Sequence, residues 1–381
     1  MTAKTLSDKI RVLQVFGSLN MGGAESRMMD VYRHIDRQYI NFDFLILRTD
    51  KQAYEDEVRS LGGNVYRLKM PSAFTAVHHI EEIRKILREG HYQAVHAHTS
   101  YHSGLVMYAA WREGVKVRIT HARTTGSVRP GIARATMQFA GKALIKQFAT
   151  KCYAISQQAG QFLFDSSQFE VLPNAIDVEK YQNTDLKKCE QLRNSFDIPD
   201  RAFVIGQIGR FDPMKNHVFS LRWFSKYCET HSDALLILVG DHTNPIRRQE
   251  LEHIVDDLHI SKQVRFTGFR ADIEDVLRLF DVLLFPSLYE GLGGVVLEAQ
   301  AAGIPAVISE SVPEEVDMGI GLVQRCSLND EYESWDQAVD RCREKEAIPF
   351  DMICKAFDDH HYSLTNEIEH LQKEYEKGRW I

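Results

Sequence analysis

The 381-residue sequence contains no pair of cysteines at C-x-x-C spacing; its six cysteines, at 152, 189, 228, 326, 342 and 354, are scattered singly. That scatter indicates neither a disulfide framework nor a zinc site and suits reduced thiols. No apolar run approaches a membrane-spanning length, and the longest, such as ALLILVG at 234–240, are strand-sized. The opening MTAKTLSDKIRV has no secretory h-region, so a cytoplasmic protein is expected. Excess positive charge is also missing: the formal net charge is −7, which argues against a nucleic-acid partner. Locally it is acid that is absent. Between Glu113 and Asp165 there is none, while Lys116, Arg118, Arg123, Arg129, Arg134, Lys142, Lys146 and Lys151 all fall there. A run of one charge is usually a solvated face. The sharper reading is a surface for anionic lipid, at the inner face of the plasma membrane, or for a phosphorylated acceptor.

What is present is regular. The length implies two domains, and 44% hydrophobic with 26% charged residues is a globular composition. Strand-like runs at 11–17, 42–47, 64–70, 94–98, 117–122 and 151–156 alternate with helical segments. Apolar strands alternating with helices predict a parallel sheet covered on both faces, hence an α/β, doubly wound class. The polar segment 182–201 interrupts the pattern, which restarts with strands at 203–210, 234–240, 264–268, 282–287 and 305–309. Two Rossmann-like halves facing across a cleft are expected, with ligands at the carboxyl ends of the strands. The charged last segment reads as a helix outside the second core.

Two constellations carry chemistry. In SLYEGLGGVVLEAQAAGIP, Glu290 lies in a strand-to-helix loop and Glu298 inside the helix that follows. Gly291, Gly293 and Gly294 let backbone N–H groups approach a ligand, and the helix N-terminus favours its negative charge. The two carboxylates would repel that anion, so they more plausibly accept hydrogen bonds from hydroxyls; alternatively Glu298 is a surface residue of an amphipathic helix. In GQIGRFDPMKNH, a strand-end Arg210 and Lys215 in the next turn can grip a diphosphate, one as a fork and the other as a point charge.

EGLGGVVLE resembles the E-x7-E motif of the retaining glycosyltransferases of family 4, which have the two-domain GT-B fold. LNMGGAE resembles that family's first glycine loop, AVHAHTSYHSG and ITHAR its central N-domain strands, and LPNAID its interdomain loop. GRFDPMKNH resembles its diphosphate clamp and VRFTGFRADI its base-binding turn. Within the family the sequence is most similar to bacterial exopolysaccharide and capsule transferases. The resemblance implies an N-terminal acceptor-side domain over 1–178, a donor domain over 179–355 and a C-terminal helix over 356–381 returning to the first domain.

It also implies roles. Glu298 would bind ribose hydroxyls and Glu290 the transferred sugar, while Arg210 and Lys215 neutralise the departing diphosphate. Gly22 and Gly23 would admit donor phosphate and acceptor, Phe269 after Gly268 would lie beside the base, and Leu292 belongs to the donor loop. His121 would lie beside the reacting sugar; a lone histidine is more often structural. Two positions depart from the family: Ala175 replaces a glycine, and Gly240, Asp241, His242 and Thr243 replace a G-x-G-P turn. No D-x-D metal motif occurs, and no metal or other cofactor is expected. The donor implied is a nucleotide sugar, UDP before GDP or ADP, and the acceptor a growing glycan or a polyprenyl-diphosphate-linked sugar. A same-face retaining path is favoured over a double displacement. In the helix predicted at 131–151, Met137, Leu144, Ile145 and Phe148 fall on one side and Arg134, Lys142 and Lys146 on another, which would suit a membrane surface. The alternatives are the same chemistry on a small soluble acceptor, a non-catalytic nucleotide-sugar-binding protein, or a UDP-sugar epimerase.

Overall fold

The computed structural model describes residues 9–72, 74–124, 132–165, 168–182, 185–240, 245–330, 332–344 and 346–379. Asp241, His242, Thr243 and Arg129 lie outside that set, as does the side chain of Arg134. Two compact units emerge, Met1–Ala175 with Leu364–Ile381, and Ile176–Ser363.

The first unit is built on seven strands: β1 (Ile10–Phe16), β2 (Ile40–Ile46), β3 (Val65–Arg67), β4 (Ala94–Ala97), β5 (Val117–Ala122), β6 (Lys151–Ala154) and β7 (Glu170–Val171). All pair in parallel, in the order β3-β2-β1-β4-β5-β6-β7. The second unit repeats the arrangement with β8 (Phe203–Ile208), β9 (Ala234–Val239), β10 (Val264–Gly268), β11 (Val282–Phe285), β12 (Ala306–Ser309) and β13 (Val323–Cys326), ordered β10-β9-β8-β11-β12-β13. Central strands are buried along their length, as in ALLILV of β9, because helices cover both faces. β7 and β13 escape the sequence reading because they are edge strands, short and half-exposed, without an apolar run.

Segment 182–201, read from sequence as a polar joint, instead carries the helix Leu186–Ser195, whose first turn is capped by the Asp185 carboxylate accepting from Lys187 N–H. Cys189, Leu192 and Phe196 pack that helix on the second unit's core, and its polarity is that of one exposed face. The chain passes between units at Ala175/Ile176 and Ser363/Leu364. The tail holds two helices: Phe350–Asp359 keeps Ile353 and Phe357 in the second core, while Leu364–Glu376 buries Leu371 and Tyr375 in the first.

The helix Ile132–Phe148 packs its Ile145 and Phe148 into the first unit, and Lys142 pairs with Asp165 at 2.9 Å. Those two side chains are covered by its own domain, Met137 and Leu144 are half-buried, and Phe139 is 78% exposed. Among the described residues no helix is long and apolar enough to cross a membrane.

Candidate functional site

In both sheets the strand order reverses beside the first strand, between β1 and β4 and between β8 and β11. Loops leaving the carboxyl ends of such a pair diverge to opposite sides and leave a crevice, the usual ligand position in open α/β sheets. Arg210 and Lys215 follow β8, and Glu290 and Glu298 follow β11. The sequence constellations thus converge at one switch point.

After β8 the chain makes a tight turn. The Asp212 carboxylate accepts from Met214 N–H, Pro213–Lys215 forms one turn of 3-10 helix, and Asn216 adopts φ 54° before the helix His217–Thr230. The turn docks on the neighbouring loop, Leu288 N–H donating to Met214 C=O at 2.8 Å. Lys215 Nζ then reaches Glu290 Oε1 at 2.6 Å, with side chains 19% and 11% exposed, and lies 5.0 Å from the centre of the Phe285 ring. Arg210 stays 78% exposed, 3.3 Å from Asp212, free to turn towards an anion.

The loop after β11 ends at Gly293, whose φ of 92° is the conformation a residue with Cβ resists, and the helix Gly294–Ala301 begins there. Space opens above Gly291 and Gly294, where an added Cβ would meet nothing within 4 Å. First-turn N–H groups facing such space form an anion seat. Leu292 is buried in the second core, so only its backbone can face a ligand. Glu298 is half-buried on the second turn. Gly268 closes β10 at φ 73°, and Phe269 beyond it is 49% exposed, as a stacking surface requires.

In the first unit Gly22 caps the helix Gly23–His34 at the end of β1; a Cβ at Gly23 would meet nothing within 4 Å. His121, at the end of β5, is 0% exposed and its Nε2 lies 3.0 Å from the Leu172 carbonyl. A carbonyl can only accept, so Nε2 carries the proton and Nδ1 keeps a lone pair, unpartnered among the described residues. Burial holds this imidazole, with His96 and His98, well below the ordinary histidine range, so all three are neutral.

These histidines belong to a polar network that the sequence reading missed. Tyr375 from the C-terminal helix bonds His96 Nδ1 at 2.8 Å and accepts from Gln14 at 3.1 Å. Gln14 Oε1 holds His98 Nε2, and Arg123 donates from Nε to His98 Nδ1. Arg123 also donates to Asn174, and Ala175 N–H to Glu367 of the C-terminal helix. The only signal in the sequence is polar residues inside apolar strands, LQVF and AVHAH.

The ligand atoms of His96, His98 and His121 lie within 4.8 Å of one another, close enough to suggest a metal. The donor set does not fit one. Both nitrogens of His98 are engaged, and the guanidinium on its Nδ1 repels a cation. In the second unit Gln207 was likewise missed: it is buried near the end of β8 and donates to the Lys215 carbonyl at 2.7 Å.

Residues 21–180 match the family model Glycosyltransferase Family 4, and 189–341 match Glycosyl transferases group 1. EpsF of Bacillus subtilis (strain 168), which bears a glycosyltransferase's name, is 35% identical over 88% of each chain. The Staphylococcus aureus capsular polysaccharide biosynthesis glycosyltransferase CapH is 26% identical, covering 81% of this chain and 83% of its own. An Escherichia coli UDP-Gal:α-D-GlcNAc-diphosphoundecaprenol α-1,3-galactosyltransferase is 26% identical over 59% of each. Among solved structures, HepE of Anabaena in complex with UDP and glucose superposes with a TM-score of 0.77 at 19% identity, over 96% of this chain and 98% of that one.

Proposed function

The chain belongs to glycosyltransferase family 4, with the GT-B pair of α/β units, and on that premise we propose that it moves a sugar from a UDP-sugar, with retention, to a lipid-linked or growing surface-glycan acceptor. The observation that carries this reading is the meeting of Lys215 and Glu290 at the β8/β11 switch point, with Arg210 and the glycine-framed helix start beside them. A diphosphate leaving group gains negative charge as the glycosidic bond breaks, and fixed cations with helix N–H groups stabilise that state more than the bound donor. Lys215 and Arg210 take that part, so no metal is required. Glu290 accepts from hydroxyls of the transferred sugar and Glu298 from the ribose.

His121 would act through its lone-paired Nδ1 as acceptor for a sugar hydroxyl, with Nε2 anchored on Leu172. Since Glu290 is committed to Lys215 and sugar hydroxyls, a same-face path, in which the diphosphate helps deprotonate the acceptor, accounts for retention without a second carboxylate. The carrier-lipid acceptor and UDP-sugar donor named for the Escherichia coli relative, and the capsule role named for CapH, support this choice of partners. Nucleotide preference is tested by calorimetric titration with UDP, GDP and ADP without metal, on the wild type and on Glu298→Ala. Tight binding of UDP that the variant loses is expected. Binding of none of the three, or equal binding by the variant, would remove the donor-site assignment.

A further inference from the structure

The loop leaving β3 exposes large apolar side chains that no core claims: Phe74 is 100% exposed, Val77 75% and Met70 52%. Single exposed apolar residues are ordinary, but three within eight residues make a patch. Phe74 lies in the turn just before the N-cap Thr75 and Val77 in the first turn of the helix Ala76–Gly90, so the two are neighbours at the helix start.

The stretch itself carries basic side chains and no acid. No acidic residue occurs between Glu57 and Glu81, while Arg59, Arg67, Lys69 and His78 lie in that interval. Arg59 and Arg67 are tied to Glu55, leaving exposed Lys69 as the cation beside Met70. The nearest acids along the helix are each beside a basic side chain, Glu81 at 2.5 Å from Arg84 and Glu82 at 3.7 Å from His78. β3 is an edge strand, and its loop emerges at the carboxyl end of the sheet, the end that also carries Gly22 and Gly23.

We propose that Lys69, Met70, Phe74 and Val77 form an interfacial anchor for an anionic lipid bilayer. Phe74, Val77 and Met70 enter the boundary between headgroups and acyl chains, and Lys69 meets the lipid anions. The helix Ile132–Phe148 is the poorer candidate, because its Ile145 and Phe148 are spent on its own domain and, among its described side chains, Phe139 stands alone as an exposed large apolar group. The anchor deepens the reading of a lipid-linked acceptor and rests on it for its purpose, while the contact can be measured without donor or acceptor.

The test is co-sedimentation of the full chain with phosphatidylcholine vesicles, with and without phosphatidylglycerol, comparing wild type, Phe74→Glu/Val77→Glu and Lys142→Glu/Lys146→Glu. Thermal melts and UDP titration show that each variant is folded. Wild type should bind the anionic vesicles, the loop variant should bind about tenfold or more weakly, and the helix variant should bind like wild type. The proposal is overturned if wild type ignores both vesicles, if the loop variant binds equally, or if only the helix variant loses binding. A wild-type dimer that the loop variant splits, with no vesicle binding, would assign the patch to a second copy and overturn it too. Unchanged UDP binding alongside any of these failures would leave the transferase reading standing.

Discussion

Glu290→Gln keeps the shape of the donor site and removes one charge from its central pair. In the ligand-free protein Lys215 and Glu290 are 2.6 Å apart and 19% and 11% exposed. An exposed pair contributes ~0–1 kcal/mol, whereas stranding one partner of a buried pair costs ~3–5 kcal/mol. The amide still accepts a hydrogen bond from lysine, so the loss should be about 1–2 kcal/mol. For a unit of this size that lowers the thermal midpoint by about 2–8 °C. Donor binding should respond in the opposite sense. The carboxylate both competes with a diphosphate for Lys215 and repels it, so its neutralisation should tighten UDP by about three- to tenfold. Turnover with the UDP-sugar should still fall by about a hundredfold or more, because the contact to the transferred sugar is weakened. Calorimetry with UDP, a melting curve and initial rates give the three readings. If UDP affinity falls together with turnover, Glu290 serves to hold Lys215 in place, and the competition argument is wrong.

The helix Ile132–Phe148 touches its neighbour through Gly141, where an added Cβ would sit 2.2 Å from the Tyr101 carbonyl oxygen. Gly141→Ala should therefore cost about 1–3 kcal/mol in thermal or urea unfolding; Gly23→Ala, with nothing within 4 Å, is the comparison, and equal stability of the two would refute the packing argument. Stability should also fall on acidification. His102, buried against His79, has its pKa pushed down to about 3 from an ordinary 6.5, and His96, His98 and His121 are lowered as well. The unfolded chain takes up protons below pH 6.5 that these folded imidazoles refuse, so their contribution is intact above 6.5 and is lost as pH drops towards 3. Glu367, Asp281 and Asp336, raised by burial, act in the opposite direction, but they are three carboxyls against seven lowered imidazoles once His79, His217 and His370 are included. Urea midpoints measured across this range should decline, and a flat profile would count against neutral burial of the cluster.

The second unit's candidate site was legible because its chemistry is local. Arg210, Lys215, Glu290 and the glycines sit in two short segments, each following a strand whose apolar run marks it. Once two strands are adjacent at a reversal of order, the residues just past their ends have to meet. The first unit's polar network was less legible for the converse reason. Gln14, His96, His98, Arg123, Asn174, Glu367 and Tyr375 come from separate segments spread along the chain, and only the return of the C-terminal helix to the first sheet joins them. No spacing rule reports a contact between Gln14 and Tyr375. The same network settles what the sequence left open at Ala175. A glycine there in relatives suggested a left-handed backbone that alanine would strain, yet Ala175 is not among the residues with positive φ. It is 1% exposed and its N–H donates to Glu367 at 3.1 Å, so its backbone is fixed by the returning helix. Glu367 in turn is a buried carboxyl whose proton affinity is raised by desolvation and lowered by Arg123, the guanidinium that holds His98 and Asn174. A single buried arginine therefore joins His98 at the end of β4, the segment leading out of the first unit and, through its charge, Glu367 of the helix that returns to it, which explains why polar residues occupy strands that the rest of the sheet fills with valine and isoleucine.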